Sequence, residues 1–394
     1  MTRTLAVVFA GFCAFLTLFA TQPLLPAFEA IFHATKVAVS LTVTAGTVGV
    51  ALAAPLIGTI ADRLGRKRVI VWSALFLAAS TLFASTATTL NTLLLWRFLQ
   101  GIFTPGVFAI TVAYIQEEWA GSGRGSATAA YVTGTVLGGF TSRFTSGFVA
   151  ARVNWQMSFV VLGIFGFIGA GVLALFLPKE KLFVRRPNDT STRAAAWDHL
   201  RNRDLLATFC AGSCLLFSLL GSFTYITFYL AAPPFHLGPT ALGSMFFVYL
   251  FGAVITPNAG RIIDRYGERI TIAVATSSSL IGMLLTLSHN LTVVIVGLAL
   301  ICTGVFVSQS CTNSYIGTSA KHSKALAVGL YVTFYYVGGS LGSSISGYVW
   351  GLGGWPACVS LFVTVQMMTI AIATFGWSKY QPHLAAPALP LTPD

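Results

Sequence analysis

Apolar residues in this chain do not alternate; they come in long runs of about 20, the length an α-helix needs to cross the hydrocarbon core of a bilayer. The runs predict twelve spans, at residues 4–26, 38–58, 69–88, 92–115, 127–150, 156–177, 205–231, 238–258, 270–288, 291–314, 325–350 and 357–377. One long hydrophilic stretch, 179–203, separates six spans from six. The chain thus divides into an N-terminal six-helix half (1–178), a linker loop (179–203), a C-terminal six-helix half (204–380) and a disordered tail (381–394) rich in Pro and Ala. The predicted fold class is an all-α integral membrane protein of twelve transmembrane helices. The first run follows Met1-Thr2-Arg3 as in a signal peptide, but it continues to Leu25 without a small-residue cleavage pattern, and it reads as an uncleaved span.

Charge gives these spans a direction. With the N-terminus inside, 19 of the 23 Lys and Arg residues fall in segments on the inner side. Lys36 and Arg152 fall outside, and Arg97 and Arg143 fall within spans. Cytoplasmic loops carry such an excess, so both termini and the linker are expected in the cytoplasm. Composition agrees: 55% of residues are hydrophobic and 9% charged, with a mean hydropathy of +0.79, against roughly 25% charged in a soluble domain. The net charge of +12 does not point to nucleic acid, because the basic residues form short clusters between apolar runs, with no stripe interleaved with aromatics. All six cysteines lie inside apolar runs, where thiols behave as small hydrophobes. Cys210 and Cys214 share a helix face, but no His or further Cys completes a metal set. No cofactor is expected.

The halves repeat. Gly58-Thr-Ile-Ala-Asp62-Arg63-Leu-Gly65 corresponds to Gly260-Arg-Ile-Ile-Asp264-Arg265-Tyr-Gly267, and Tyr131, Thr133, Gly138, Gly139, Ser146, Gly147 and Trp155 correspond to Tyr331, Thr333, Gly338, Gly339, Ser346, Gly347 and Trp355. Six spans return the chain to its starting side, so the halves are parallel repeats, as in transporters whose halves are related by an axis along the membrane normal. The segment from Gly58 through Asp62, Arg63, Gly65, Arg66 and Lys67 to Arg68 resembles the signature between spans two and three of the major facilitator superfamily, with its degenerate copy between spans eight and nine. Arg97-Phe-Leu-Gln100-Gly101 resembles the fourth-span motif of that family. The glycines Gly134, Gly138 and Gly139 resemble the fifth-span motif of its twelve-span drug:proton antiporters, although Gly139 stands where that motif has Pro and Ser142-Arg143 where it has a glycine pair. The resemblance covers nearly the whole chain.

It implies two pseudo-symmetric six-helix halves and a conformational latch built from Gly58, Asp62, Arg63, Gly65, Arg66 and Lys67, with Glu117 or Glu118 as acidic partners and a weaker copy at Asp264 and Arg265, where Glu268 takes the place of Arg66. An ionised Asp62 there can cap a neighbouring helix N-terminus. The alternative is plain topology, four basic residues holding a loop inside. An Arg at membrane depth costs about 2.5–3.5 kcal/mol on insertion scales, so Arg97 and Arg143 should face protein or water. For Arg97, near Gln100, the choices are proton transfer or substrate contact, as the resemblance implies, and snorkelling to the outer surface. For Arg143 they are bonding backbone carbonyls of an adjacent span and substrate or proton coupling. None of the 11 acidic residues lies at the midplane of a span; Glu29, just beyond span one, is the nearest candidate to pair with either arginine. Under the resemblance, spans one, four, seven and ten line a central cavity, to which Gln22, Thr111, Tyr114, Tyr225, Gln309 and Asn313 contribute, with Tyr335 from span eleven. Apolar walls with a few polar groups suit an amphipathic small molecule.

No P-loop or other enzyme constellation occurs, so ATP-driven transport and catalysis are disfavoured. The expected function is secondary active transport: proton-coupled efflux, by antiport, of a small amphipathic molecule or drug, from the bacterial inner membrane and by a monomer. The alternatives are an uptake permease for a sugar or organic anion, and a membrane receptor or structural protein that keeps the fold without transport. The topology is testable. A single cysteine at Lys36 should react with an impermeant thiol reagent added from the periplasmic side and one at Arg186 should not; labelling at Arg186 from that side would overturn the orientation.

Overall fold

The spans begin where side chains can satisfy the free backbone N–H groups of a first helical turn. Thr35 accepts from Ala38 N at 3.2 Å and opens span two (Lys36–Leu64); Thr89 accepts from Thr92 N at 3.2 Å and opens span four (Leu90–Glu118). Asn154 opens span six (Trp155–Phe176), Asn202 span seven (Arg203–Ala231) and Asn290 span ten (Leu291–Ser319) in the same way. The computed structural model describes residues 3–119, 123–181, 191–320 and 324–377. Eight of its helices are long and apolar enough to cross a membrane. One of these, Lys324–Ala371, is spans eleven and twelve run together across a break at Gly353 and Gly354. Spans three (Arg66–Ala84) and nine (Glu268–Leu285) follow turns on Gly65 and Gly267, whose φ of 94° and 79° only glycine adopts readily.

Spans one, five and eight fall short of that measure. Span five is a continuous helix, Gly123–Arg152. The other two are broken. Span one is a helix Arg3–Phe15, a run of turns, a 3₁₀ turn Gln22–Leu24 and a short helix Leu25–Ile31. Pro23 and Pro26 have no N–H to donate to the carbonyls four residues back, so the backbone bonds at i−3 instead, Gln22 N to Phe19 O at 3.1 Å and Leu24 N to Thr21 O at 3.0 Å. Span eight starts at Pro239–Ser244, tightens to 3₁₀ over Met245–Phe247 and continues as Val248–Tyr266. The continuous spans expected at 4–26 and 238–258 are therefore corrected: both are interrupted. The linker also departs from a plain loop, since it carries a helix at Ser191–Arg201; its residues 182–190 and the tail from 381 lie outside the described residues.

The sequence repeat is a packing repeat. Gly138 of span five lies against the Phe12 carbonyl of span one, and Gly338 of span eleven against the Ser213 carbonyl of span seven. Ser158 donates to the Ser146 carbonyl at 2.9 Å, and the Cys358 thiol to the Ser346 carbonyl at 3.4 Å. Small residues let backbones approach this closely, and in a bilayer such packing is what drives helix association. The closest approach joins spans two and four. A Cβ on Gly101 would fall on the Gly46 carbonyl oxygen, and one on Gly49 would lie 2.5 Å from the Phe98 carbonyl oxygen. We expect Gly101→Ala to separate these helices and destabilise the protein by about 1–3 kcal/mol, seen as a lower Tm in detergent; an unchanged Tm would show that the approach is not needed.

Candidate substrate site between the two halves

The two halves meet toward the end of the bundle that carries Lys36, here the far end. A ladder of hydroxyls joins span two to span eleven: Thr47 to Ser340 at 2.8 Å, then Thr44 to Ser343 at 2.8 Å and to Ser344 at 3.0 Å. Tyr225 of span seven donates to Ser40 of span two at 3.0 Å. Gly147 of span five packs on the Pro239 carbonyl of span eight, and Gly243 on the carbonyl of Arg143. At the opposite end, which carries residues 58–68 and is here the open end, Cβ atoms on Gly58, Gly260 and Gly329 would meet nothing within 4 Å among the described residues.

The expected latch residues lie at that open end, tied within the N-terminal half. Arg66 pairs with Asp62 at 2.8 Å and reaches Glu117 with two bonds of 2.7 and 3.0 Å. Glu118 instead accepts from Arg3 at 3.3 Å and from Lys181 N at 2.7 Å. Arg63 is exposed. The acid at the N-terminus of span three is not Asp62 but Glu180, which accepts from Lys67 N at 3.3 Å. The sequence reading gave Glu180 no role; the signal was its position just past span six, within reach of the Gly65 turn. Among the described residues no ion pair joins Asp264 to Arg265; both are exposed, and Glu268 is buried, accepting from Ser314 at 3.1 Å.

Arg97 does not snorkel. It is fully buried, and its guanidinium closes the gap where span one breaks. Nη1 donates to the Thr17 carbonyl at 2.8 Å and to Gln100, Nη2 to the Leu18 carbonyl, and Nε to the Thr42 carbonyl of span two at 3.0 Å. Carbonyls released by a helix break must find donors when water is absent, and a guanidinium offers five N–H groups in one plane.

Arg143 lies at the junction of both broken spans. Nε donates to Gln22 Oε1 at 2.7 Å, and Nη1 to the Gly139 carbonyl of its own helix at 2.8 Å. Phe19 of span one and Phe246 and Tyr249 of span eight turn their faces to it, at 4.6, 4.7 and 4.8 Å from guanidinium carbon to ring centroid. A desolvated cation among aromatic faces is stabilised by their quadrupoles. Gln22 also donates to Thr224 of span seven at 3.4 Å. The group thus spans both halves, and among the described residues no carboxylate pairs with Arg143. Phe19, Thr224, Phe246 and Tyr249 were not among the expected site residues: an apolar ring within an apolar run gives no signal in sequence. Glu29 is corrected as their partner, because it pairs with Lys36 at 2.6 Å on the half-exposed far end, seven residues along the same surface.

Of the expected cavity residues, Gln22 is in this group, and Tyr225 belongs to the far-end contact. Tyr335 is buried, edge-on to Tyr336. Thr111 is buried with no partner for its hydroxyl among the described residues. Gln309 is half-buried and Asn313, one turn on, exposed. Tyr114 does not line a cavity: its ring is buried against Trp119 and its hydroxyl donates to the Pro178 carbonyl at 3.0 Å, near the open end.

A sequence model of the Major Facilitator Superfamily matches residues 7–343 and, in a second register, 219–388. The chain belongs to this superfamily. It is 30% identical over 377 residues to the inner membrane transport protein YnfM of Escherichia coli, covering 95% of this chain and 90% of that one. Among solved structures, it is similar to the human organic anion transporter MFSD10 (TM-score 0.74, 20% identity, 94% of this chain and 99% of that chain). It is also similar to the nucleoside transporter NupG (TM-score 0.78, 15% identity, 96% and 100%). As a member of the Major Facilitator Superfamily, the protein is a multi-pass membrane transporter of a small-molecule substrate and not an enzyme. For this superfamily member, Arg97→Leu should leave the Leu18 carbonyl and Gln100 Oε1 without their side-chain donor. At about 1–3 kcal/mol per buried group left unsatisfied, we expect a clearly lower Tm with membrane insertion retained; an unchanged Tm would separate Arg97 from the break in span one.

Proposed function

We propose that this protein is a secondary active exporter in the bacterial inner membrane, with both termini cytoplasmic, and that its substrates are small amphipathic molecules bearing a negative charge. The observation that carries this reading is Arg143, a buried cation in an aromatic group shared by both halves, with no carboxylate paired to it among the described residues. Charge in such a place needs a counter-charge, and an organic anion supplies one while its apolar part lies against the rings. The site favours an anion over a cationic drug, since none of the 11 acidic residues lies at the midplane of a span to receive a cation. The glycine face of span five, shared with drug:proton antiporters, supports the outward direction.

The driving force in this reading is the proton-motive force, with its electrical part carried by the substrate. An anion leaving a cytoplasm that is negative by 100 mV gains about 2.3 kcal/mol per charge. The latch at Asp62, Arg66 and Glu117 serves the alternate state, in which the open end closes and Gly58 meets span eleven. In inverted membrane vesicles with an imposed interior-positive potential, radiolabelled naphthalene-2-sulfonate should accumulate. Arg143→Ala should reduce this at least tenfold, while Glu29→Gln leaves it unchanged. Loss of flux in Glu29→Gln with retention in Arg143→Ala would replace this reading by one in which a carboxylate at the far end carries protons.

A further inference from the structure

Arg143 donates only, so the atom of Gln22 that faces it must be the amide oxygen, and the amide nitrogen must then face Thr224. Gln22 is fully buried, and so is Thr224; Arg143 is nearly so. One carboxamide therefore uses its acceptor on span five of the N-terminal half and its donor on span seven of the C-terminal half. It sits on the 3₁₀ turn of broken span one, a segment with fewer helical bonds to hold it than any regular span. The bond on Arg143 is short, 2.7 Å, and the bond on Thr224 long, 3.4 Å. The two ends of the amide are held unequally.

We propose that Gln22 is an internal stand-in for the substrate's anionic group: in the empty transporter its amide oxygen fills the acceptor place on Arg143, and an incoming anion displaces it. The inference rests on the reading of Arg143 as the substrate's counter-charge. Its physical basis is a difference between acceptors. An amide oxygen on a guanidinium has charge on one side of the bond only, whereas a carboxylate or sulfonate oxygen has charge on both and makes bidentate contact with the planar fork. The neutral stand-in keeps the buried cation hydrogen-bonded while the site is empty, and yields to a ligand with charge. Once displaced, the amide also leaves Thr224, so binding loosens a contact between halves where they must part. A ligand shifts a conformational equilibrium only through such differential contact. A neutral analogue of the same shape lacks the charge to displace the amide, and selectivity for anions follows from the competition.

The test uses the full-length protein in nanodiscs, with equilibrium binding of radiolabelled naphthalene-2-sulfonate, which stays ionised across the pH range used. Wild type is compared with Arg143→Gln, Gln22→Ala and Gln22→Glu, each checked for a monodisperse profile and a cooperative thermal transition. Gln22→Ala removes the competitor and should bind the sulfonate at least threefold more tightly than wild type. Gln22→Glu supplies a permanent internal carboxylate and should bind at least tenfold more weakly at neutral pH. Its binding should recover as the pH falls and the glutamate takes up a proton, because a neutral acid competes no better than the amide. A merely structural role for Gln22 would produce no such recovery. If Gln22→Ala weakens binding, Gln22 is a direct substrate contact and the stand-in is overturned, while the reading of Arg143 survives provided Arg143→Gln loses binding. If Arg143→Gln binds as wild type does, or wild type does not bind the sulfonate, the reading of Arg143 fails and the stand-in with it. Should Gln22→Ala fail the folding checks, Gln22→Glu and its pH response decide alone.

Discussion

A guanidinium in the middle of a bilayer protein cannot shed its charge cheaply, and the core of this molecule is arranged around two of them. Each must find oxygens or aromatic faces where no water is at hand. Regular helices supply few of the oxygens, one each from Thr42 and Gly139, since their carbonyls already hold helical bonds. Span one supplies them by breaking: the turn at Thr17 and Leu18 turns two carbonyls toward Arg97. The 3₁₀ turn Gln22–Leu24, which holds Pro23, also brings Gln22 to Arg143. The arginines and the break depend on one another, and removing either leaves buried polar groups unmatched.

The two arginines are satisfied in different ways. Arg97 is bonded to backbone carbonyls and to a glutamine within one half, so its surroundings do not change when the halves move as rigid bodies. Arg143 is held by a side-chain amide, a carbonyl of its own helix and rings drawn from both halves. Its surroundings must change in any motion that separates span eight from span one. Its equivalent in the C-terminal half is Ser343, which joins the hydroxyl ladder instead. The repeat is thus symmetric in its glycine packing and asymmetric in its charge.

Much of this was legible in the sequence. Span length, the charge bias and the two copies of the 58–65 segment sufficed for the fold, because hydrophobic runs and turn glycines are local and additive signals. Arg143, Arg97, Gln22 and Gln100 stood out because polar groups in apolar runs are costly and so conspicuous. Phe19, Phe246 and Tyr249 did not stand out, being apolar residues among others; only the meeting of two broken spans gives them a task. The pairing of Glu29 was misjudged because proximity in sequence to an arginine's end of the bundle says nothing of Lys36, seven residues on at the start of span two and opposite in charge. The breaks themselves were half visible. Pro23 and Pro26 marked span one, but nothing in 245–247 announces the 3₁₀ turn of span eight, whose cause lies in its packing on span five.

The ladder between spans two and eleven has a further property. Four of the hydroxyls that cross between the halves also reach a carbonyl on their own helix: Thr47 the Thr44 carbonyl at 3.0 Å, Thr44 the Ser40 carbonyl at 3.5 Å, Ser340 the Tyr336 carbonyl at 2.8 Å and Ser343 the Gly339 carbonyl at 3.1 Å. When the seam unzips, these four groups keep an acceptor at home. An ion pair in the same place would leave two bare charges on opening. The seam is thus a fastener that can part without tearing, since opening it exchanges neutral hydrogen bonds and strands no charge.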